Sequence, residues 1–168
     1  MDFIDILLGF SQDPLTYSLL FFIYVILAAV ILPIPVEIGL LNPAIHPVLL
    51  IIILALGKGF GALIVFYIGG GVRNLLTGRG WGSNLTKKIL EVLENFVRRY
   101  GYYGLFIIMS TPLMVDSISL YLFSLLNPKE NGKKALERNR FVLINILAGG
   151  LRGSIVIAVF YLLGIQLW

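Results

Sequence analysis

The sequence predicts an all-α polytopic membrane protein in which a re-entrant hairpin and a transmembrane helix are repeated in inverted orientation. Three observations predict this fold: the composition, a match between two broken apolar segments, and the placement of the basic residues. Of the 168 residues, 58% are hydrophobic and 13% are charged, whereas soluble domains average roughly 45–50% apolar and about 25% charged residues. The chain is short enough for a single membrane domain, residues 1–168.

Four apolar segments follow a short N-terminal stretch. A spanning helix needs about 20 apolar residues, so residues 1–14, which contain the run FIDILLGF, are predicted to be an interfacial segment. The apolar segments lie at about 15–32, 47–71, 104–126 and 141–168. The second and the fourth are predicted to be transmembrane helices, whereas the first is either a full span or half of a hairpin.

Residues 72–100 are predicted to form a cytoplasmic loop that contains an amphipathic helix. Apolar residues recur there at helical spacing between charged ones, namely at Leu85, Ile89, Val92, Leu93, Phe96 and Val97. We expect this helix either on the membrane surface or packed against the bundle. This loop and a second one at 127–140 hold most of the basic residues, which indicates that both loops are cytoplasmic.

Segment 104–126 therefore has a cytoplasmic loop on each side, which a simple span cannot have. It contains Pro112 and Asp116 near its middle, where the chain could reverse, because proline breaks a helix. The segment is predicted to be a re-entrant hairpin that enters from the cytoplasm and returns to it. An ordinary span with one atypical basic flank is the alternative.

The two halves of the chain match each other in short motifs. PIPVE at 33–37 matches PLMVD at 112–116, and KG at 58–59 matches RG at 152–153. The predicted repeats are 15–71 and 101–168. One spanning helix ends at a cytoplasmic loop and the other begins at one, so the repeats are inverted, as in many secondary transporters.

Four ionisable residues are predicted to lie near the bilayer midplane. Lys58 and Arg152 each stand near the middle of a spanning helix, and Glu37 and Asp116 stand at the two hairpin turns. A lone charge at this depth costs about 2.5–3.5 kcal/mol, so the four charges, which sum to zero, are expected to pair. The residues predicted to break the hairpins are Pro33, Pro35 and Pro112.

The functional hypothesis is a binding site for an anionic headgroup. Lys58 and Arg152 would hold the headgroup, and Glu37 and Asp116 would carry protons, because a carboxyl group in a low-dielectric environment retains its proton more readily than one in water. The alternative is that these charge pairs only hold the two halves together. No metal ligand set and no cofactor motif is expected, and the lack of cysteine excludes disulfides and thiolate sites.

A resemblance to a known family rests on these motifs. Pro33-Ile-Pro-Val-Glu37 resembles the Pro-x-Pro-x-Glu loop of the DedA family, also called the SNARE-associated or VTT-domain family. Residues 57–70 are similar to its Gly-x-x-x-Gly helix, and Tyr-Gly at 100–101 with the later Pro112 is similar to the start of its second hairpin. The likeness covers about 30–164 and implies opposed re-entrant hairpins that move polyprenyl-phosphate or phospholipid, with proton or membrane-potential coupling in some members.

The chain departs from the family pattern at three positions. Met109 and Val115 stand where bacterial members carry arginines beside the second hairpin's proline, and Ala62 stands where an aspartate is usual. We hypothesise that Lys58 and Arg152 supply the missing positive charge. A weaker resemblance is to small multidrug export proteins, which also pair a Pro-Glu loop with a later Gly/Pro hairpin.

The leading functional hypothesis is a lipid transporter, a flippase or scramblase, in the plasma membrane of a prokaryote. Its expected partners are membrane lipids and protons; nucleic acid is not expected, and a homo-oligomer is left open. The alternatives are a membrane scaffold without transport, whose amphipathic helix and basic loops bind partners, and a small-molecule exporter. An intramembrane enzyme ranks below these, because no catalytic base stands at a recognisable spacing from the hairpin serines.

Overall fold

The computed structural model describes Gly9 and residues 13–31, 34–78, 84–127, 129–130, 133–134 and 136–163. In chain order, its elements are α1 (Pro14–Val30), a 3₁₀ helix (Val36–Leu40), α2 (Pro47–Gly78), α3 (Asn84–Ser110), α4 (Asp116–Leu125), the strands β1 (Lys129–Glu130) and β2 (Lys133–Lys134), and α5 (Arg138–Leu162). β1 and β2 form a small antiparallel hairpin. The predicted all-α class is confirmed, and most of the predicted N-terminal segment 1–14 lies outside the described residues.

Within the described part of the chain, two helices are long and apolar enough to cross a membrane. They are Pro47–Val72 within α2, with a mean hydropathy of 2.6, and α5, with a mean hydropathy of 2.0. α1 is also apolar but has only 17 residues. α2 continues to Gly78, past the predicted end of the first repeat at residue 71, and no proline interrupts residues 72–78.

α3 joins two elements that the sequence predicts as separate, the amphipathic helix and the first arm of the second hairpin. The helix is kinked at Gly101, whose φ of 21° and ψ of −104° are tolerated because glycine has no Cβ. Before the kink, Val97 is buried, and the Phe96 ring lies 6.4 Å from that of Phe123 on α4. This turn of α3 therefore packs against the bundle, which is one of the two predicted alternatives.

α1 packs parallel to α2. Val25 contacts Gly57, and Ala29, one turn later, contacts Gly61. A Cβ atom on Gly57 would lie 2.8 Å from the Cβ of Val25, so glycine is needed for this close approach. The end of α1 is thus level with Gly61, roughly 21 Å from the start of α2 at 1.5 Å per residue, near the middle of the Pro47–Val72 segment.

The chain that follows α1 runs back along it. Tyr24 Oη donates to the carbonyl of Pro35, and Tyr17 Oη donates to the carbonyl of Gly39, each at 3.0 Å. Because the earlier tyrosine meets the later carbonyl, the two segments are antiparallel. We refer to these two antiparallel segments, 14–31 and 34–40, as the first hairpin.

α3 and α4 form a second hairpin, with its turn at residues 111–115. The Phe123 ring of α4 lies against Gly104 of α3, and Ser124 Oγ donates to the carbonyl of Val65 on α2 at 3.1 Å. At the other end of the hairpin, Lys58 Nζ of α2 donates to the last turn of α3. The turn of the second hairpin is therefore level with Lys58.

α2 and α5 are antiparallel neighbours. The rings of Phe66 and Phe141 lie 5.3 Å apart, and Gly153, further along α5, packs against Ile51, earlier on α2. The first hairpin has its open end beside the start of α2, and the second has its open end beside the later part of that helix. The two hairpins thus approach from opposite ends of the α2–α5 pair, and Glu37 of the first hairpin meets the turn of the second near its middle.

Candidate functional site

The fold brings all four sequence-predicted charges into one buried cluster, where the two hairpins meet. Lys58 and Arg152 have no exposed surface, while Glu37 is 7% and Asp116 is 5% exposed. Each residue arrives on a different element: Glu37 on the 3₁₀ helix, Lys58 on α2, Asp116 on α4 and Arg152 on α5. We refer to these four residues as the charge cluster.

Arg152 is the hub of the charge cluster. Its Nε and Nη2 lie 2.7 and 2.5 Å from Oε1 of Glu37, and its Nη1 lies 2.8 Å from Oδ1 of Asp116. Nη2 also donates to the carbonyl of Met114 at 3.1 Å. The planar guanidinium fork suits this position, because its donors point in fixed directions toward two acids at once.

Lys58 completes the charge balance. Its Nζ lies 3.1 Å from Oδ1 of Asp116 and donates to the carbonyl of Met109 at 2.8 Å. Asp116 is thus shared between both cations, and Glu37 is held by Arg152. Two of the three contacting acid–cation pairs join one half of the chain to the other, Lys58–Asp116 and Glu37–Arg152.

The helix breaks supply backbone groups to the charge cluster that the sequence did not reveal. In the break of the second hairpin, the carbonyls of Met109 and Met114 accept from the cations, and the amide of Leu113 donates to Oε1 of Glu37 at 2.8 Å. A helix break frees main-chain donors and acceptors. Pro112, which predicts the break, was therefore the one sequence feature that could have pointed to these backbone contacts. Each acid also lies in the first turn of a helix, where free amides favour a carboxylate.

The three predicted hairpin breakers have different positions. Pro35 precedes the 3₁₀ helix and accepts the hydrogen bond of Tyr24. Pro112 lies in the second turn, next to Leu113, whose φ of 62° is unusual for a residue with a side chain. Pro33 lies outside the described residues.

A cavity of about 360 Å³ lies beside the charge cluster. Glu37 forms part of its wall together with apolar residues from both hairpins and α5, namely Pro35, Ile38, Leu41, Pro112, Leu113, Val156, Val159 and Phe160. Leu113 is 77% and Val159 is 46% exposed, so the cavity opens at the surface. The cations do not contribute to this wall.

Two buried polar atoms have no hydrogen-bond partner among the described residues. One is Oε2 of Glu37, and the other is Oδ1 of Asn145, whose Nδ2 donates to the carbonyl of Phe141 at 2.8 Å. Glu37 therefore uses only Oε1 for its contacts to Arg152 and Leu113. The unpaired Oε2 was not foreseeable from sequence, because it depends on how the carboxylate is turned.

Lys58 and Arg152, which the sequence predicts as headgroup ligands, are already occupied by carboxylates and carbonyls. An anionic headgroup would have to replace one of these acceptors. Within the described part of the chain, no group of three or more His, Asp or Glu side chains is placed to hold a metal ion. Comparison of the chain with protein-family models, with curated proteins and with solved structures found no match.

Proposed function

We propose that this chain is an integral membrane protein that carries lipids across the bilayer, in the plasma membrane of a prokaryote. Besides two helices of sufficient length and hydropathy, the outer face of α2 supports a membrane location. Large apolar side chains follow each other along it with 40–54% exposure: Leu49, Ile52, Leu56, Phe60 and Ile64. A contiguous exposed apolar surface of this kind fits contact with lipid rather than with water.

In this proposal the bilayer midplane lies at the level of the charge cluster. The two hairpins are then re-entrant from opposite sides, and the segments 15–71 and 101–168 form an inverted repeat, the arrangement of many secondary transporters. Irregular backbone at this depth is acceptable because protein surrounds it. The resemblance of the motifs to the DedA family supports lipids as the substrate class.

The observation that carries the proposal is the complete pairing of four buried charges across the two hairpin turns, beside a cavity. The cluster is neutral as a whole, so a proton and a monovalent anion can enter together without leaving a net buried charge. Protonation of Glu37 weakens its hold on Arg152, and an anionic headgroup can then replace Glu37 on Nε and Nη2 of Arg152. The apolar cavity wall accommodates the adjoining hydrocarbon chain.

Charged and titratable groups approach Glu37 from several elements packed around it. Arg152 on α5 contacts it directly, while Asp116 on α4 and Lys58 on α2 lie behind Arg152. From α1, Tyr24 approaches through its hydrogen bond to Pro35. Loss of the proton on the opposite side of the membrane would restore the Glu37–Arg152 pair and release the headgroup.

The main competing function is that of a membrane scaffold without transport. It is favoured by the same pairing, since Lys58 and Arg152 have no exposed surface and are engaged on several sides. In that case the charge cluster would hold the two halves together permanently. The two functions differ in one respect: only a transporter must break these ion pairs during its cycle.

Reconstitution into liposomes with fluorescent phosphatidylglycerol or polyprenyl phosphate separates the two functions. We expect the protein to move the labelled lipid, and we expect Glu37→Gln, Asp116→Asn, Lys58→Ala and Arg152→Ala to abolish proton-coupled movement. Circular dichroism and gel filtration check that each variant is folded, and Arg140→Gln, at an exposed residue, is the control. No movement of any lipid by the unaltered protein supports the scaffold, and normal transport by both carboxyl variants refutes the proton role.

The proposed topology has its own test, because the chain contains no cysteine. Single cysteines at Arg99 and Arg140 flank the second hairpin, and one at Ala44 lies in the exposed loop before α2. With an impermeant maleimide on right-side-out vesicles, we expect labelling at Ala44 only, and labelling at the other two after permeabilisation. Labelling of Arg99 and Arg140 from opposite sides would mean that the second hairpin is an ordinary span.

A further inference from the structure

A small apolar groove of about 90 Å³ lies along the outer seam between α2 and α5. Six residues line it: Leu56, Gly59, Phe60, Leu63, Val142 and Ile146. Its α2 residues recur at a spacing of three or four positions, so they share one face of that helix. Lys58, two residues from both Leu56 and Phe60, is buried on the opposite face. The groove is therefore separate from the charge cluster.

The apolar groove continues into a polar pocket at the end where α5 begins. This pocket has a volume of about 360 Å³ and is lined by Tyr67, Glu137, Arg138 and Asn139. Tyr67 stands one turn after Leu63, and Arg138 stands one turn before Val142, so both are direct neighbours of groove residues on their helices. We refer to the apolar groove and the polar pocket together as the α2–α5 groove.

The polar end of the α2–α5 groove is rich in hydrogen-bond donors. Nη1 of Arg138 donates to Oη of Tyr67 at 2.8 Å, and its Nε donates to Oδ1 of Asn139 at 3.0 Å. Both bonds occupy acceptors, so the hydroxyl hydrogen of Tyr67, Nδ2 of Asn139 and Nη2 of Arg138 are left to donate to a ligand. Among the described residues of the wall, Glu137 is the one acid, and it pairs with Arg140 at 3.4 Å. Two cations and one acid leave a net positive charge here.

We infer that the α2–α5 groove binds a membrane lipid with an anionic phosphate headgroup, with the phosphate at Arg138 and an acyl chain along the apolar part. A phosphate accepts several hydrogen bonds at once, and a guanidinium fork can donate two of them in parallel. The adjoining hydrocarbon surface favours a lipid over a free phosphate ion, and the positive charge favours an anionic lipid over a neutral one. Tyr67 also lies near the end of the Pro47–Val72 segment, where tyrosine marks the headgroup level of a bilayer.

This site rests on the membrane location that we propose, but it does not rest on transport. It shares no residue with the charge cluster, and it would bind lipid equally in a scaffold. The bound lipid contacts α2 and α5 together, so it stabilises the pairing of these two helices. Binding can be measured whether or not transport is found, and transport without binding at this groove would refute the present inference alone.

The direct test measures lipid binding to the delipidated full chain in micelles of a neutral detergent by native mass spectrometry. The probe is dioleoylphosphatidylglycerol, and its two parts are the matched probes: glycerol 3-phosphate carries the anion without the chains, and dioleoylglycerol carries the chains without the anion. We expect saturable binding of the whole lipid, and binding of either part at least about tenfold weaker, because each part loses one of the two kinds of contact.

Three results of this measurement overturn the inference. Absence of saturable binding of dioleoylphosphatidylglycerol removes the site. Equal affinity for dioleoylglycerol means that the phosphate is not recognised. Equal affinity for glycerol 3-phosphate means that the pocket takes a free phosphate compound and that the apolar groove does not hold a chain.

Two pairs of variants locate the site, and circular dichroism checks that each is folded. Arg138→Gln should weaken binding of the lipid at least about tenfold, because it removes charge-assisted hydrogen bonds. Its control is Arg99→Gln, which removes the same charge from an exposed residue of α3 and should leave the affinity unchanged. Val142→Phe narrows the apolar groove without altering a charge and should weaken binding, whereas Leu143→Phe, at an exposed neighbour outside the groove, should not. Equal effects within either pair would show that the lipid does not bind in the α2–α5 groove.

Discussion

Replacement of Arg152 by glutamine tests how much the charge cluster contributes to the fold. The change removes a guanidinium that contacts Glu37, Asp116 and the carbonyl of Met114. It leaves two carboxylates with Lys58 as the remaining cation, so the cluster acquires a net charge of about −1 in surroundings that exclude water. Oε1 of Glu37 then keeps, among the described groups, only the amide of Leu113 as a donor.

The expected loss of stability in Arg152→Gln follows from that uncompensated buried charge. Arg152 makes four contacts, and a hydrogen bond to a charged group contributes about 1.5–3 kcal/mol. The sum of the four overestimates the loss of stability, because the contacts share donors and acceptors and the site can relax. Breaking a buried ion pair by removing one partner costs about 3–5 kcal/mol. At about 2–4 °C per kcal/mol for a chain of this size, the Tm of Arg152→Gln should fall by roughly 6–20 °C.

The same helix provides a matched control. Arg140 pairs with Glu137 at 3.4 Å, but both side chains are more than 60% exposed. An exposed pair contributes about 0–1 kcal/mol, so Arg140→Gln should leave the Tm nearly unchanged. The double variant Glu37→Gln/Arg152→Gln restores neutrality and should be more stable than Arg152→Gln alone.

The assay is thermal unfolding in detergent micelles followed by circular dichroism, with reversible unfolding in sodium dodecyl sulfate to obtain the free energy of unfolding. All four proteins are compared at one pH and one detergent concentration. If Arg152→Gln is no less stable than Arg140→Gln, the buried network does not stabilise the fold. If the double variant is destabilised as much as Arg152→Gln, the loss of stability does not come from the unpaired charge.

Three further substitutions have effects on stability whose direction follows from the structure. A methyl group on Gly39 would overlap the buried ring of Phe21, so Gly39→Ala should lower the free energy of unfolding by about 1–3 kcal/mol; Gly150→Ala, with open space at its Cβ, should raise it by up to about 1 kcal/mol, and equal effects in denaturation curves would contradict this packing. A hydrogen bond from Thr16 lowers the pKa of the exposed Asp13 from 3.8. The contribution of this cap is therefore present above the unfolded-state pKa and lost as the pH falls through the folded-state value. The Tm difference between the unaltered protein and Asp13→Asn, which caps without titrating, should shrink below about pH 4, and a constant difference would argue against this role.

Much of the fold follows from local properties of the chain. The length of the apolar runs predicts the long helices α2 and α5. A helix forms all its backbone hydrogen bonds within one segment, so its presence can be read from that segment alone. Proline predicts a break near residue 112, where the structure has one. The limits of the elements are less predictable: α2 runs on past residue 71, and α3 continues through Gly101 because glycine permits a kinked backbone without ending the helix.

The sequence by itself determined which charges occur and at what height along the helices they stand. Residue count sets height, at about 1.5 Å per residue, so Lys58 and Arg152 could be assigned to the middle of their helices and expected to meet acids. Only the tertiary structure decided the partners, because contacts such as Glu37–Arg152 depend on the rotation and closeness of helices that pack through glycines far apart in the chain. The same packing turned Oε2 of Glu37 away from any described donor and left the cavity beside it, and neither can be derived from residue spacing.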